Sequence, residues 1–179
     1  MSLGGLLRLV DRPVRLEGDD LVLREWSTTD LDSMVELFDE PAIAYRTPLP
    51  SPFTRTDAQR RLDRARDRDV LLLAVTVDGE RPLGEVMITS EAYLAYIVGQ
   101  QHRGQGLASR ALLAVADYAL RVLATPVLWL EIEPDNRASA AVARRAGFQL
   151  SGRPEETVED KGRTYTLQPW ERRRAATTV

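Results

Sequence analysis

The chain has 179 residues, enough for one domain with a sizeable core and too few for two ordinary ones. A formal net charge of −3, with 28% charged residues, argues against nucleic acid as a dominant partner. With no cysteine and one histidine, His102, the chain has no means to build disulfides, thiolate metal sites, a cysteine nucleophile or a histidine metal cluster, so no metal is expected. No run approaches the ~18–20 apolar residues of a membrane span. Met1 to Val10 lacks the basic start and small-residue cleavage site of a signal peptide. A single cytoplasmic domain over residues 1–179 is expected, with its core at about 15–170.

In chain order, Leu21-Val-Leu-Arg-Glu25 reads as a first strand. Ser27-Thr-Thr-Asp30 supplies N-cap residues for an amphipathic helix carrying Leu31, Met34, Val35, Leu37 and Phe38, and Pro41 should end it. Residues 41–56 hold four prolines and no period, which predicts a loop. Thr56-Asp57 should cap a helix from Ala58 to Arg68. Its many Arg and Asp residues read as a solvated face or, more sharply, as a contact for an acidic substrate or partner.

Val70 to Val77 is apolar on both faces and should be central. Asp78-Gly79 is a hairpin signal, Leu83 to Ile88 the returning strand, and Tyr93 to Val98 the third strand of a meander. A turn, Gln101-His-Arg-Gly-Gln-Gly-Leu-Ala108, then opens into a long apolar helix from Leu107 to about Leu123. Unpaired N–H groups at such a strand-to-helix turn make an anion site. Gly104 and Gly106 let a phosphate approach the backbone, and Arg103 adds positive charge. Val127 to Ile132 is a strand parallel to Tyr93–Val98 across a βαβ crossover. Arg137 to Ala146 is a short helix stopped by Gly147. Phe148–Leu150 and Thr164–Leu167 should pair across a polar loop at Glu155–Arg163, with a loose tail from Glu171. Lys161, the only lysine, reads as compositional bias.

Two motifs carry a resemblance. Arg103-x-x-Gly106-x-Ala108 resembles the acyl-CoA pyrophosphate loop of the GNAT superfamily of acetyltransferases. About 30 residues later, Asn136-x-x-Ser139, an apolar helix and Gly147-Phe148 resemble its second motif, with the required helix and strand between. The opening Leu-x-Leu-Arg, gap, Asp and apolar helix resemble the ribosomal-protein N-terminal acetyltransferase branch. The resemblance spans about Leu21 to Pro169. It implies an α/β fold with a mixed, mostly antiparallel sheet, a splayed central parallel strand pair and helices on both faces.

The resemblance also implies a function, an N-acetyltransferase that moves an acetyl group from acetyl-CoA to a primary amine. The acceptor would be a protein N-terminal α-amine or a small-molecule amine, attacking the thioester directly. Backbone amides of Arg103, Gly104, Gln105, Gly106, Leu107 and Ala108 would hold the pyrophosphate, with Ser109 adding a hydroxyl. Backbone groups of Tyr96, Ile97 and Val98 would bond the pantetheine amides, and the Val98 N–H would polarise the thioester carbonyl. Asn136 would bind pantetheine or position the thiol. Many members carry a tyrosine seven residues after that asparagine; here the position is Ala143, and Ser139 is the substitute for protonating the thiolate or, equally, a helix-capping hydroxyl. Glu85, Glu131 and Glu133 are candidate bases, with Glu85 alternatively an arginine's partner. His102 reads as a loop residue; Trp26, Tyr45 and Trp129 read as core or cleft-wall aromatics. Homodimers are common in the family. An acyl-CoA-binding module without turnover is the alternative on the same fold. A dinucleotide site fails because the third glycine is missing and too few residues follow Glu133.

Overall fold

The computed structural model describes residues 12–66 and 69–175. The segment Met1–Val10 and the last residues of the expected tail lie outside the described residues.

Five antiparallel strands run in order β1 (Arg15–Gly18), β2 (Leu21–Glu25), β3 (Val70–Thr76), β4 (Gly84–Thr89) and β5 (Leu94–Val98). β3 is central and buried along its whole length, as its apolar run requires. Alternate β3 residues feed two cores. Leu71, Leu73 and Val75 pack with Val86, Ile88 and the long helix α4 (Leu107–Arg121). Val70, Leu72 and Ala74 face the other way, onto α1 (Leu31–Phe38) and α3 (Arg55–Arg66), where Phe38 stacks edge-on against Trp26 and Phe53. Helices therefore cover both faces.

A second sheet orders β6 (Val127–Ile132), β9 (Arg163–Arg173) and β7 (Gln149–Leu150), with β8 (Glu156–Asp160) also on β9. The sheets meet at one parallel bridge, Tyr93 to Trp129, where the Trp129 N–H donates to Ala92 O at 3.0 Å. Beyond that point β5 and β6 part. The expected parallel pair is thus joined at its base and open at its C-terminal end.

Several local expectations are corrected. Residues 41–56 are not all loop: Pro41–Arg46 forms a helix, α2, with Pro41 in its first turn, where a missing N–H costs nothing. β1 pairs in front of the expected first strand. The polar loop at 155–163 contains β8, an edge strand whose charged side chains hide the pattern. The tail is not loose at its start, since Trp170 and Glu171 are buried in β9 and pair with Leu130 and Trp129 of β6. The arginine-rich helix α3 makes the i,i+3 pairs Arg60–Asp57 and Arg66–Asp63 on its surface, but turns Arg61 inward.

β4 approaches the end of β5 closely at Gly84. An ideal Cβ at Gly84 falls 2.3 Å from Ile97 O and 3.1 Å from Val98 Cα, both backbone atoms. Gly84→Ala is expected to push the end of β5 away and to cost about 1–3 kcal/mol, the range for overpacking, read by denaturant unfolding. Wild-type stability would show that the ladder yields at no cost.

Candidate active site

A cleft of about 410 Å³ opens where β5 leaves β6. Its walls come from β5, the turn after it, the start of α4, the start of α5 (Arg137–Arg145) and the inner side of α2. Tyr96, Ile97, Val98, Arg103, Gly104, Gly106, Leu107, Ala108, Ser109, Asn136 and Ser139 all line it. Gln105 does not; its carbonyl is held from behind by Arg110, which also bonds Asp19 O. Ala42, Ile43, Arg46, Thr47 and Arg145 are lining residues that the motifs did not flag.

The turn is shaped for an anion. Gly104 and Gly106 sit at φ +79° and +73°, a region costly for residues with a Cβ, and the nearest atom to a Gly106 Cβ is Arg110 Nε at 4.0 Å. The first backbone bond into the helix is Arg110 N–H to Gly106 O, so the preceding amides of the first turn have no intrahelical partner. Ser109 Oγ and His102 Nε2 are buried in the same wall without a hydrogen-bond partner. Open space over two glycines, free amides and orphaned polar atoms fit a diphosphate. Arg103 is less free than expected. Its Nε donates to Val98 O at 3.1 Å, and its guanidinium pairs with Glu40 at 2.9 and 2.5 Å.

On β5 only alternate backbone groups face the gap. The Gly99 N–H donates to Leu83 O on the β4 side, so the two-residue alternation of an antiparallel ladder also turns Ile97 towards β4. Tyr96 presents its N–H and C=O to the open side and Val98 its N–H, the Val98 C=O accepting from Arg103 Nε. The expectation for the Ile97 backbone is therefore corrected: its N–H and C=O are directed at β4, and the residue is buried in the core beneath α1 and α3 while bordering the cleft.

Asn136 caps α5, its Oδ1 accepting the Ser139 N–H at 3.1 Å. Ser139 Oγ lies 2.8 Å from the Tyr96 hydroxyl. Burial raises the Tyr96 pKa, with the Ser139 bond partly opposing it. The motif reading used only the backbone of Tyr96; two-residue periodicity, which puts it on the face of Val98, was the available signal. Ala143, the position of the missing tyrosine, is fully buried.

The three candidate bases go elsewhere. Glu85 does not face the cleft: it is 1% exposed and receives Arg61 Nη2 at 2.5 Å and Nε at 3.2 Å. Burial opposes the charge on Arg61, and Glu85 more than offsets this, leaving the arginine pKa raised. Glu133 is buried between Arg46 at 2.9 Å and Arg163 at 2.7 Å. Glu131 lies on the exposed face of β6, its carboxyl raised by desolvation and by Glu156. Tyr45 is no core aromatic: it is 51% exposed, with Arg163 at 3.6 Å over its ring. Lys161, in the β8–β9 turn, donates to Ala44 O at 2.7 Å, Thr47 O at 2.8 Å and Leu49 O. The only lysine thus caps the C-terminus of α2 and fixes one cleft wall.

A sequence description of the acetyltransferase (GNAT) domain matches residues 20–149. The chain belongs to the GNAT acetyltransferase family. The uncharacterized N-acetyltransferase p20 of Bacillus licheniformis is 25% identical over 155 residues, which is 80% of this chain and 86% of p20. Two solved structures share the GNAT fold. The ribosomal-protein-S5-alanine acetyltransferase of Vibrio fischeri superposes with a TM-score of 0.75 at 18% identity, over 90% of this chain and 97% of its own. Spermidine N-acetyltransferase of Vibrio cholerae, in complex with CoA and spermine, gives 0.74 at 17%, over 88% and 97%. At such identities these two speak for the fold. As a GNAT domain the chain is an acyl-CoA-dependent acetyltransferase, which sets the dinucleotide reading aside. Among the described residues no helix is long and apolar enough to cross a membrane, and no group of His, Asp or Glu is arranged to hold a metal.

Proposed function

We propose that this enzyme acetylates a primary amine from acetyl-CoA, with a protein N-terminal α-amine as the preferred acceptor. The amides at the start of α4, with Ser109 and His102, would hold the diphosphate. Tyr96 and Val98 would bond the pantetheine arm along the open edge of β5, and the Val98 N–H would face the oxygen on which charge develops. Acetyl-CoA, when bound, supplies the activated thioester carbonyl. Ser139, at the positive end of α5, would hold the departing thiolate by a hydrogen bond.

The observation that carries the choice of amine is the commitment of the glutamates. Glu85 is locked to Arg61, Glu133 is shared by Arg46 and Arg163, and Glu131 points outside the cleft. An amine of pKa ~10.4 must lose a proton it holds firmly, whereas an α-amine at ~7.7–8 is already about a tenth neutral near pH 7, hundreds of times more than a lysine, and can release its remaining proton to water after attack. The relatives fit both acceptor classes, one being named for a ribosomal-protein alanine and the other for spermidine.

The test is thiol release from acetyl-CoA with peptides bearing free or blocked N-termini, and with polyamines. The chain has no cysteine, so every thiol detected comes from CoA. Free α-amines are expected to exceed lysine side chains and polyamines by at least ~10-fold in kcat/KM at pH 7. Turnover confined to lysines or polyamines would overturn the α-amine reading. CoA binding without turnover on any amine would select the non-catalytic module instead.

A further inference from the structure

One hydrogen bond crosses the cleft between β5 and α5, the 2.8 Å contact of Tyr96 OH with Ser139 Oγ. Each hydroxyl has a single proton and two lone pairs. If Ser139 donates, its only proton is spent on the phenol, and the proton left for an anion in the cleft is the phenol's own. If Tyr96 donates, the serine proton stays free, and the chain of two hydroxyls polarises it further. The phenol is the more acidic group and so the better donor. Its burial raises its pKa, so it remains protonated through neutral pH. Ser139 is also the third residue of a nine-residue helix, and its own N–H is taken by Asn136 Oδ1, so its backbone is fixed while its hydroxyl rotor is free to be set. The rotor otherwise tends to bond back to a carbonyl of the preceding turn.

We propose that Tyr96 is the positioning residue for Ser139, donating to Oγ so that the serine proton is kept for the sulfur of bound CoA. The proposal rests on the acetyl-CoA reading above. No proton leaves Tyr96: the carbon–nitrogen bond forms as the carbon–sulfur bond breaks, its electron pair stays on sulfur, and the amine proton passes to water. The same pair of hydroxyls should therefore favour the thiolate of free CoA bound in the cleft.

That makes a test independent of the acceptor. The protein contributes no thiol of its own, so the pH dependence of alkylation in a protein–CoA mixture reports the CoA thiol alone. CoA bound to the wild type is expected to show an apparent thiol pKa below that of free CoA. Tyr96→Phe, which keeps the ring and the backbone groups offered to pantetheine, should raise it by about one unit, with any loss of CoA affinity confined to pH values at which the thiol ionises, as expected for the loss of a hydrogen bond feeding a charged acceptor. Ser139→Ala should raise it at least as far, and adding Tyr96→Phe to Ser139→Ala should do nothing more. A Tyr96→Phe thiol that titrates like the wild type overturns the proposal, as does a Tyr96→Phe shift that persists without Ser139, or a loss of CoA affinity in place of a pKa shift. If the wild type binds no CoA, the cofactor reading itself fails and takes this proposal with it.

Discussion

Gly106→Glu is expected to weaken acetyl-CoA binding by at least ~100-fold while leaving the protein folded. Two effects add. The residue sits at φ +73°, where a side chain costs about 1–2 kcal/mol, so the turn would relax away from the shape that fits the diphosphate. The new carboxylate would also stand at the N-terminus of α4, against the diphosphate and on the wrong side of its charge. The fold should tolerate the substitution, because a Cβ there meets only Arg110 Nε at 4.0 Å. Gly106→Ala carries the backbone cost without the charge and should lose much less affinity. Titration of both variants separates the two effects. Equal losses would show that turn shape alone matters, and a Gly106→Glu protein that binds normally would remove the turn from the site.

Arg61→Ala should be among the most destabilising single changes in the chain. It leaves the Glu85 carboxylate 1% exposed and unpaired beneath α3, and it removes a guanidinium that also lies 5.8 Å over the Phe38 ring. Breaking one side of a buried ion pair costs about 3–5 kcal/mol. For a domain of this length that is a fall in Tm of roughly 6–20 °C. The paired change Arg61→Leu/Glu85→Leu removes both charges and should lie near wild-type stability. It should also retain acetyl transfer. A folded double variant with no transfer would restore Glu85 as a base, and an undisturbed Arg61→Ala would mean that the pair is not buried in solution.

Much of the fold was legible because local patterns and tertiary contacts agree. β3 reads as a central strand and is one; the amphipathic stripe of α1 and the long apolar run of α4 point to the cores they enter. The walls of the cleft can be read from Gly104 and Gly106, whose positive φ calls for glycine, and from Asn136, whose side chain caps α5. The errors have physical causes. Residues 41–56 read as a loop because Pro41 follows the end of α1, yet the fixed φ of that proline also suits the first turn of a new helix. β8 is an edge strand rich in carboxylates, so it lacks the alternation that marks a half-buried strand. Side-chain commitments were hidden because their partners are remote: Glu85 meets Arg61 from a different element, and Tyr96 meets Ser139 across 43 positions. Lys161 looked accidental until α2 existed for it to cap.

The most direct measurement is a thermal-shift titration of the intact protein with acetyl-CoA, CoA and NADP. At ~100 times its Kd a ligand adds about 2.7 kcal/mol, a shift of several degrees here. The account predicts such a shift with acetyl-CoA and CoA, and none with NADP. A folded protein that melts at the same temperature with saturating acetyl-CoA as without it would contradict the assignment of the cleft.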